Sequence, residues 1–183
     1  MSGGIAINTP EYLISPAAEE LSNTAWREVV DGVVLTSPTP FVGHQLAVGG
    51  LFHALRLPCP TDLYVLPAPV DYQPDVSNSV RPDIAVVRRC DVDLQGPLTR
   101  PPLLAIEVSS EATRRRDLTL KLEMYQHCRV PAYWVFDPSS PSLTMFDLIE
   151  DVYRRTTRLV GEQEMVVEWP YPIRLCPTEL ATG

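Results

Sequence analysis

The sequence predicts a single mixed α/β domain in which helices pack against a mixed β-sheet. Its 183 residues are enough for one domain with a substantial core. Three apolar runs, at 82–87, 103–109 and 132–136, predict strands that are buried on both faces. Between the second and third runs, residues 113–128 have the amphipathic pattern of a helix, and we expect this helix to pass across the sheet.

The N-terminal part is predicted to contain a short helix, a hairpin and a longer helix. Residues 10–22 start with a proline, a helix start signal, and are predicted to form the short helix. Two β-rich runs flank Asp31-Gly32, a dipeptide typical of two-residue turns, so 26–37 is predicted to be a β-hairpin. The longer helix is predicted at 43–57, where a proline follows and ends it.

The rest of the chain is predicted to add short strands and one long loop. Residues 62–76 suggest one or two short strands, and 88–101 form a polar loop rich in proline and glycine. The C-terminal part, about 142–176, is predicted to hold peripheral antiparallel strands at 143–148, 153–159 and 165–169. We therefore predict one domain over 1–183, with its core at about 43–138.

The distribution of charge limits the kinds of partner. The formal net charge is −8, which argues against a protein that binds polyanions in general. Residues 81–129 differ, because they carry nine basic and seven acidic side chains, whereas the remainder carries six basic and sixteen acidic ones. A DNA partner is therefore compatible with the sequence, with weak non-specific affinity.

Nothing in the sequence predicts export, a membrane span or structural zinc. The N-terminus lacks the basic start and apolar stretch of a secretory signal. No run approaches the roughly 18 apolar residues of a membrane helix. The four cysteines form no C-x-x-C pair, so we expect reduced thiols and a cytoplasmic protein without membrane partners.

Lys121 is the one lysine of the chain, beside fourteen arginines. At about 100° per residue it falls near the middle of the apolar arc of the 113–128 helix. A lysine on a packing face must reach water or meet a carboxylate, because an unpaired buried ammonium is too costly. It can extend to the helix edge, pair with Asp117 one turn earlier, or meet an upstream carboxylate such as Glu107.

Two upstream carboxylates are predicted to meet at one end of the sheet. If the strands at 82–87 and 103–109 pair antiparallel, Asp83 lies beside Glu107. Such a pair repels unless a cation lies between the groups, and hard oxygen ligands favour Mg²⁺ or Mn²⁺. The carbonyl of Val108 is near enough to add a third oxygen. With Lys121 close by, this set suggests metal-assisted hydrolysis of a phosphodiester.

These residues resemble the site of the PD-(D/E)xK nuclease superfamily. Asp83, the Glu107-x-Ser109 triplet and Lys121 match it, with the lysine moved from the position of Ser109 to the following helix. From about residue 11 to residue 177 the chain is also similar to the Uma2 family of restriction-endonuclease-like proteins. The segments that carry this similarity are WREVVDGVV, SPTPFVGHQ, SVRPDIAVV and LLAIEVSSEATRRRDLTLKLEMYQHCRVPAYWVFDP.

The resemblance implies a restriction-endonuclease-like α+β fold with a Mg²⁺ site at Asp83 and Glu107. We accordingly expect a Mg²⁺-dependent endonuclease that hydrolyses DNA phosphodiester bonds. In this interpretation Val108 adds its carbonyl to the metal and Lys121 positions the attacking water. Because one site cuts one strand, analogy also suggests a homodimer.

Further side chains are candidates, each with a structural alternative: Ser109, Glu28, His44, Arg114, Arg115 and Arg116. Ser109 either holds a water or phosphate oxygen or caps a turn. Glu28 either reaches the metal through water or occupies an exposed strand position. His44 either contacts substrate or is a first-turn helix residue. The three arginines either hold a phosphate backbone or form a solvated turn.

Two alternatives to a DNA endonuclease follow from the same sequence. The acidic composition favours a catalytically silent binding or assembly module that has kept the nuclease fold. The second alternative is a nuclease for RNA, or for structured or single-stranded DNA.

Overall fold

The computed structural model describes residues 26–37 and 39–183, and all structural statements refer to these residues. The helix predicted at 10–22 lies outside the described residues. In the described part of the chain, no helix has the length and apolar character needed to cross a membrane.

The described chain folds into twelve strands and four helices. The strands are β1 Trp26–Val30, β2 Val33–Ser37, β3 Leu63–Pro67, β4 Tyr72–Asp75, β5 Asn78–Val80, β6 Ile84–Arg88, β7 Leu104–Val108, β8 Ala132–Asp137, β9 Ser142–Ile149, β10 Val152–Val160, β11 Met165–Val167 and β12 Ile173–Leu175. The helices are α1 Val42–Arg56, α2 Arg114–Asp117, α3 Leu120–His127 and α4 Pro177–Thr182, and a short 3₁₀ turn covers Arg89–Asp91.

The main sheet has six strands in the order β10-β9-β8-β7-β6-β3. The β7–β8 pair is parallel and the other neighbours are antiparallel. A parallel pair needs a crossover connection, and α2 and α3 supply it. The predicted mixed sheet with packed helices is therefore confirmed, and so are the strands predicted near the C-terminus.

The predicted N-terminal hairpin is present and belongs to a second sheet of order β2-β1-β5-β4. Asp31 and Gly32 both have positive φ, 49° and 78°, as a two-residue turn of this kind requires. Strand β5 was not predicted, because it has only three residues and starts with a polar one. Its first residue, Asn78, accepts a hydrogen bond from the Asp31 amide at 2.9 Å, so a long-range contact stabilises it.

The two glycines in the middle of α1 have different reasons to be there. A Cβ at Gly50 would lie 2.5 Å from the carbonyl oxygen of Leu180 in α4, so only glycine allows this close approach of the two helices. A Cβ at Gly49 would meet nothing within 4 Å. The contact with α4 therefore accounts for Gly50 and leaves Gly49 open to substitution.

The main sheet separates two hydrophobic clusters. On β6, Ile84 and Val86 face the cluster that includes α1 and α4, while Ala85 and Val87 face the other side. That other side is rich in aromatic rings. The ring centroids are 6.4 Å apart in the stacked pair Tyr72 and Tyr125, and 4.8 Å apart in the tilted pair Tyr125 and Tyr133.

The prediction of one continuous helix at 113–128 is wrong, because this part of the chain forms two short helices, α2 and α3. The break lies at Leu118 and Thr119, and Thr119 has φ −130° and ψ −86°. The Thr119 hydroxyl donates to the Arg115 carbonyl at 2.7 Å, a local bond that competes with the helical backbone pattern. The single apolar arc is lost as well, since Leu120 is 45% exposed.

Candidate active site

The end of the main sheet brings Asp83 and Glu107 together. Ile84 pairs with Ile106 in the antiparallel β6–β7 ladder, so Asp83, just before β6, lies beside Glu107. Asp83 is two residues from Ala85, and Glu107 is two residues from Ala105. Both acids therefore lie on the face of the sheet that carries the aromatic rings. The antiparallel arrangement expected from the sequence is therefore present.

Asp83 is held by two contacts on one of its carboxylate oxygens. Its Oδ2 accepts a hydrogen bond from the Val108 amide at 2.8 Å and lies 3.3 Å from Nε2 of His44. His44 is in the first turn of α1 and reaches the site from there. Burial by itself lowers the pKa of His44, but the hydrogen bond and charge of Asp83, with the nearby Val108 carbonyl, raise it above its ordinary value.

Glu107 is almost fully buried, at 4% exposure, and is oriented from α3. Its Oε1 accepts a hydrogen bond from the Tyr125 hydroxyl at 3.0 Å and lies 2.9 Å from Nζ of Lys121. Because Lys121 and Tyr125 are four residues apart on α3, they lie on the same helix face. The described hydrogen bonds use only Oε1, so Oε2 of Glu107 is available to a ligand.

Lys121 lies between two glutamates. Its Nζ is 2.8 Å from Oε1 of Glu28 in β1 and 2.9 Å from Oε1 of Glu107. The expectation that Glu28 is an exposed strand residue is wrong, because it is 5% exposed and also accepts the Arg81 amide at 2.8 Å. The small sheet places β1 against α3, and this packing turns the Glu28 side chain inward. There its carboxylate is a second partner for the Lys121 ammonium.

The buried acids outnumber the buried base. Burial raises the pKa of Glu107 well above its ordinary value, the charge of Lys121 lowers it, and the charges of Glu28, Asp83 and Asp117 raise it further. For Lys121, burial lowers the pKa, but Glu107 and Glu28 more than offset this and leave it above its ordinary value. The ammonium of Lys121 is therefore charged, and it is shared by more than one buried acidic side chain.

Asp117, at the end of α2, is a further acid of this region. It is 2% exposed, and its Oδ1 has no hydrogen-bond partner among the described residues. Burial raises the pKa of Asp117, while the charge of Lys121 and the nearby Thr113 and Arg116 lower it only in part. The carboxylate is thus held in a position that is costly for an ionised group without a cation.

Except for Tyr125, these groups line one cavity of about 550 Å³. Acidic side chains of five residues line it: Glu28, Asp83, Glu107, Glu111 and Asp117. Arg81 and Arg116 also line it, but Arg81 pairs with Asp71, and the Arg116 guanidinium donates to Ser37 at 2.8 Å. At the rim, Phe41 is 79% exposed. The cavity therefore has an acidic interior and a partly apolar mouth.

Ser109 does not reach this cavity. Its hydroxyl donates to the Phe136 carbonyl at 3.2 Å, and its side chain is not among those that line the cavity. The expectation that its hydroxyl holds a water or phosphate oxygen is not met, because the hydroxyl turns to β8 just after β7 ends at Val108. Ser109 instead ties the end of β7 to β8.

The three arginines at the start of α2 point to different places. Arg114 pairs with Asp137, and Arg116 binds the carbonyl of Thr36 at 3.3 Å. Arg115 is exposed. The expected cluster of guanidiniums is therefore not formed, because a single helical turn spreads consecutive side chains by about 100° each. Only Arg116 among them lines the cavity.

The cavity suits a hydrated divalent cation better than a fully protein-bound one. Among the described residues, no group of three His, Cys, Asp or Glu side chains is arranged to hold a metal ion together. Asp83 and Glu107, with the Val108 carbonyl, therefore provide at most a partial set of ligands. Mg²⁺ fits such a site, because it keeps several waters and is commonly bound by one or two carboxylates. The unpartnered Oδ1 of Asp117 agrees with a cation nearby.

Two residues of the site, Asp117, which lines the cavity, and Tyr125, which donates to Glu107, had no site role in the sequence-based prediction. Asp117 entered it only as a possible partner for Lys121, and Tyr125 only as part of the 113–128 helix. The usable signal was their spacing, because each lies four residues from Lys121 in the chain. That spacing alone cannot distinguish a site residue from a core residue, since both require the same inward face.

The comparisons with known proteins agree with this fold. Residues 10–175 match the Uma2 family, described as "Putative restriction endonuclease". A similar solved structure is "a putative nuclease belonging to DUF820 from Anabaena variabilis ATCC 29413", with 15% identity and a TM-score of 0.66, covering 86% of this chain and 90% of that one. At this identity the likeness shows the fold alone. No curated protein matches the chain. Because the family match extends over most of the sequence, the chain belongs to the Uma2 family.

Proposed function

We propose that this protein is a Mg²⁺-dependent endonuclease that hydrolyses phosphodiester bonds in DNA. The observation that carries the proposal is the buried ammonium of Lys121, 2.8 Å from Glu28 and 2.9 Å from Glu107, in the cavity that Asp83 also lines. An acid pair at a sheet end with one lysine beside it is the arrangement that this chemistry needs. Family membership and the nuclease-like fold support the same reaction class.

Asp83 and Glu107 would hold Mg²⁺, or Mn²⁺ in its place, and Val108 would add its carbonyl. When bound, the metal polarises the phosphoryl oxygen, lowers the pKa of a water and stabilises the leaving oxygen. The protein contributes orientation. The Val108 amide fixes one oxygen of Asp83, and the Tyr125 hydroxyl fixes one oxygen of Glu107, so the other oxygen of each carboxylate would be left for the metal.

Lys121 would position the attacking water and balance the negative charge of the reacting phosphate. An ammonium has three N–H donors, and its contacts with Glu28 and Glu107 engage two of them. The third is available to a water or a phosphoryl oxygen in the cavity. Glu28 would keep the ammonium charged and in place, which makes it a positioning residue.

The decisive experiment is a cleavage assay on end-labelled oligonucleotides with Mg²⁺, Mn²⁺ or EDTA. We expect cleavage of DNA that needs the divalent ion and is lost in Asp83→Asn and Glu107→Gln, which keep side-chain shape. Lys121→Ala should also be inactive. The matched control is Arg129→Ala, which removes an exposed cation paired with Asp151 and should leave cleavage unchanged.

A second reading, a catalytically silent binding or assembly module, is favoured by the surface charge. The net charge is −8, and Arg114 and Arg116 are engaged within the protein. If no oligonucleotide is cleaved under any condition, although calorimetry shows that the wild-type protein binds Mn²⁺, the nuclease proposal fails and this reading replaces it.

The enclosed shape of the site is a reason to test nucleic acids with unpaired bases in the same panel. The acids lie inside a cavity of about 550 Å³, and Phe41 on its rim offers an exposed ring on which a base can stack. The panel should therefore include duplex DNA, single-stranded DNA, branched DNA and RNA. Preferential cleavage of one of these would define the substrate class.

A homodimer is part of the proposal, because cutting both strands of a duplex needs two copies of the site. Light scattering on the purified protein, with and without duplex DNA, tests it. A monomer under both conditions would restrict the proposal to cleavage of single strands.

A further inference from the structure

One oxygen of the buried Asp117 carboxylate has no hydrogen-bond partner among the described residues. Its side chain is 3% exposed, and its Oδ1 accepts no hydrogen bond from any described residue. A buried carboxylate oxygen without a hydrogen bond carries a desolvation cost, which the charges of Lys121 and Arg116 offset only in part. Such a position usually has a reason, such as an ion or ordered water that completes the contact.

The two nearby cations do not provide that contact. Lys121 lies within 3 Å of Glu28 and Glu107 instead, at 2.8 and 2.9 Å. Arg116 has its Nε 3.9 Å from Oδ1 of Asp117, too far for a hydrogen bond, and that Nε has no hydrogen-bond partner itself. The terminal nitrogens of Arg116 donate to Thr36 and Ser37 in β2.

The backbone holds Asp117 in place independently of its carboxylate. Its carbonyl accepts a hydrogen bond from the buried Tyr133 hydroxyl at 2.9 Å, and Tyr133 is fully buried in β8. Residue 117 therefore lines the cavity because of the fold, whatever its carboxylate contacts.

Direct ligation by Asp117 together with Asp83 and Glu107 does not fit the geometry. No three acidic or imidazole side chains in the described chain are placed to hold one ion. A magnesium-sized ion keeps several waters, and acids around it commonly accept hydrogen bonds from these waters. Water-mediated contact is thus the arrangement that satisfies the free oxygen.

We propose that Asp117 is a positioning residue of the cation site, whose free Oδ1 accepts a hydrogen bond from a water of the hydrated divalent cation held by Asp83 and Glu107. This inference rests on the proposed function, because it assumes that those two carboxylates hold the cation. Asp117 then contributes to cation affinity without being a direct ligand, and the contact offsets the cost of burying it.

The test is calorimetric titration of Mn²⁺ into the wild-type protein, Asp117→Asn and Asp83→Asn. The charge control is Asp62→Asn, an exposed acid at the far end of β3 and β6. We expect Asp117→Asn to weaken Mn²⁺ binding by about tenfold or more, as loss of an outer contact to a metal commonly does. Asp62→Asn should bind as the wild type does, and Asp83→Asn should lose binding.

A second measurement separates a role in the cation site from a structural one. With EDTA present, the melting temperature of Asp117→Asn should equal or exceed that of the wild type, because the change removes a buried charge whose neighbouring cation, Arg116, lies beyond hydrogen-bond distance. With saturating Mn²⁺, the gain in melting temperature should be smaller in Asp117→Asn than in the wild type.

Each contrary outcome has a distinct meaning. Equal Mn²⁺ affinity in Asp117→Asn and wild type, with binding lost in Asp83→Asn, overturns the inference and leaves the proposed site intact. A clear drop in melting temperature for Asp117→Asn in EDTA also overturns it, since the carboxylate would then have a structural partner. Absence of Mn²⁺ binding in the wild type overturns both the inference and the metal dependence of the proposed function.

Discussion

Replacement of Lys121 by methionine gives the sharpest test of the charge arrangement in the cavity. The lysine is 2% exposed, and its contacts with Glu28 and Glu107 are 2.8 and 2.9 Å long. Methionine has similar length and no charge, so the variant leaves two buried carboxylates facing each other. Breaking a buried ion pair from one side costs roughly 3–5 kcal/mol, and we expect a loss of unfolding free energy in this range at pH 8.

The loss of unfolding free energy in Lys121→Met should become smaller as the pH falls. Without the ammonium, burial and like charge raise the pKa of Glu107 even further above its unfolded value of about 4.3. A group with a raised folded pKa contributes stability that is present below the unfolded pKa and is lost as the pH rises through the folded pKa. The variant should therefore be closest to the wild type near pH 5 and furthest from it near pH 8.

The assay is urea unfolding in EDTA, followed by the fluorescence of the buried Trp134. Glu28→Gln and Glu107→Gln added to Lys121→Met should restore most of the loss, because the unpaired charges are then gone. The matched control is Arg129→Met, whose exposed pair with Asp151 should be worth less than about 1 kcal/mol. A Lys121→Met variant within about 1 kcal/mol of the wild type at pH 8 would refute the reasoning.

Three further results are expected. Tyr125→Phe removes the hydrogen bond to Glu107 and should cost about 1 kcal/mol of unfolding free energy, together with part of the Mn²⁺ affinity; unchanged values of both would show that the hydroxyl does not orient the glutamate. Gly50→Ala should destabilise the protein by about 1–3 kcal/mol in urea unfolding, because its Cβ would lie 2.5 Å from the Leu180 carbonyl oxygen. Gly49→Ala, in open space on the same helix, should instead stabilise it by up to about 1 kcal/mol, and equal effects of the two changes would contradict the close packing of α1 and α4.

Local patterns were sufficient to predict most elements of the fold. The hairpin followed from Asp31-Gly32, because few residues adopt the two positive φ angles of that turn. The central strands were predicted from continuous apolar runs, which are typical of a sheet covered on both faces. With these strands paired, Asp83 and Glu107 had to meet at one end of the sheet.

Where the sequence-based predictions were wrong or incomplete, the deciding contacts come from distant parts of the chain. Strand β5 depends on Asn78 and its bond from the Asp31 amide, 47 residues earlier. Glu28 alternates along a strand in a way that fits either face, and only the docking of the small sheet against α3 turns it toward Lys121. Such choices depend on which surfaces meet, and a local pattern carries no information about that.

The sequence by itself determined the kind of sheet, the acid pair at its end and the need of Lys121 for a carboxylate, because these follow from burial, strand register and the cost of a buried charge. Tertiary structure alone decided which carboxylates meet that lysine, that Ser109 turns to Phe136, and that Asp117 keeps an unpartnered oxygen in the cavity. The physical reason is that hydrogen-bond partners are selected by distances of about 3 Å between distant elements, and packing sets those distances.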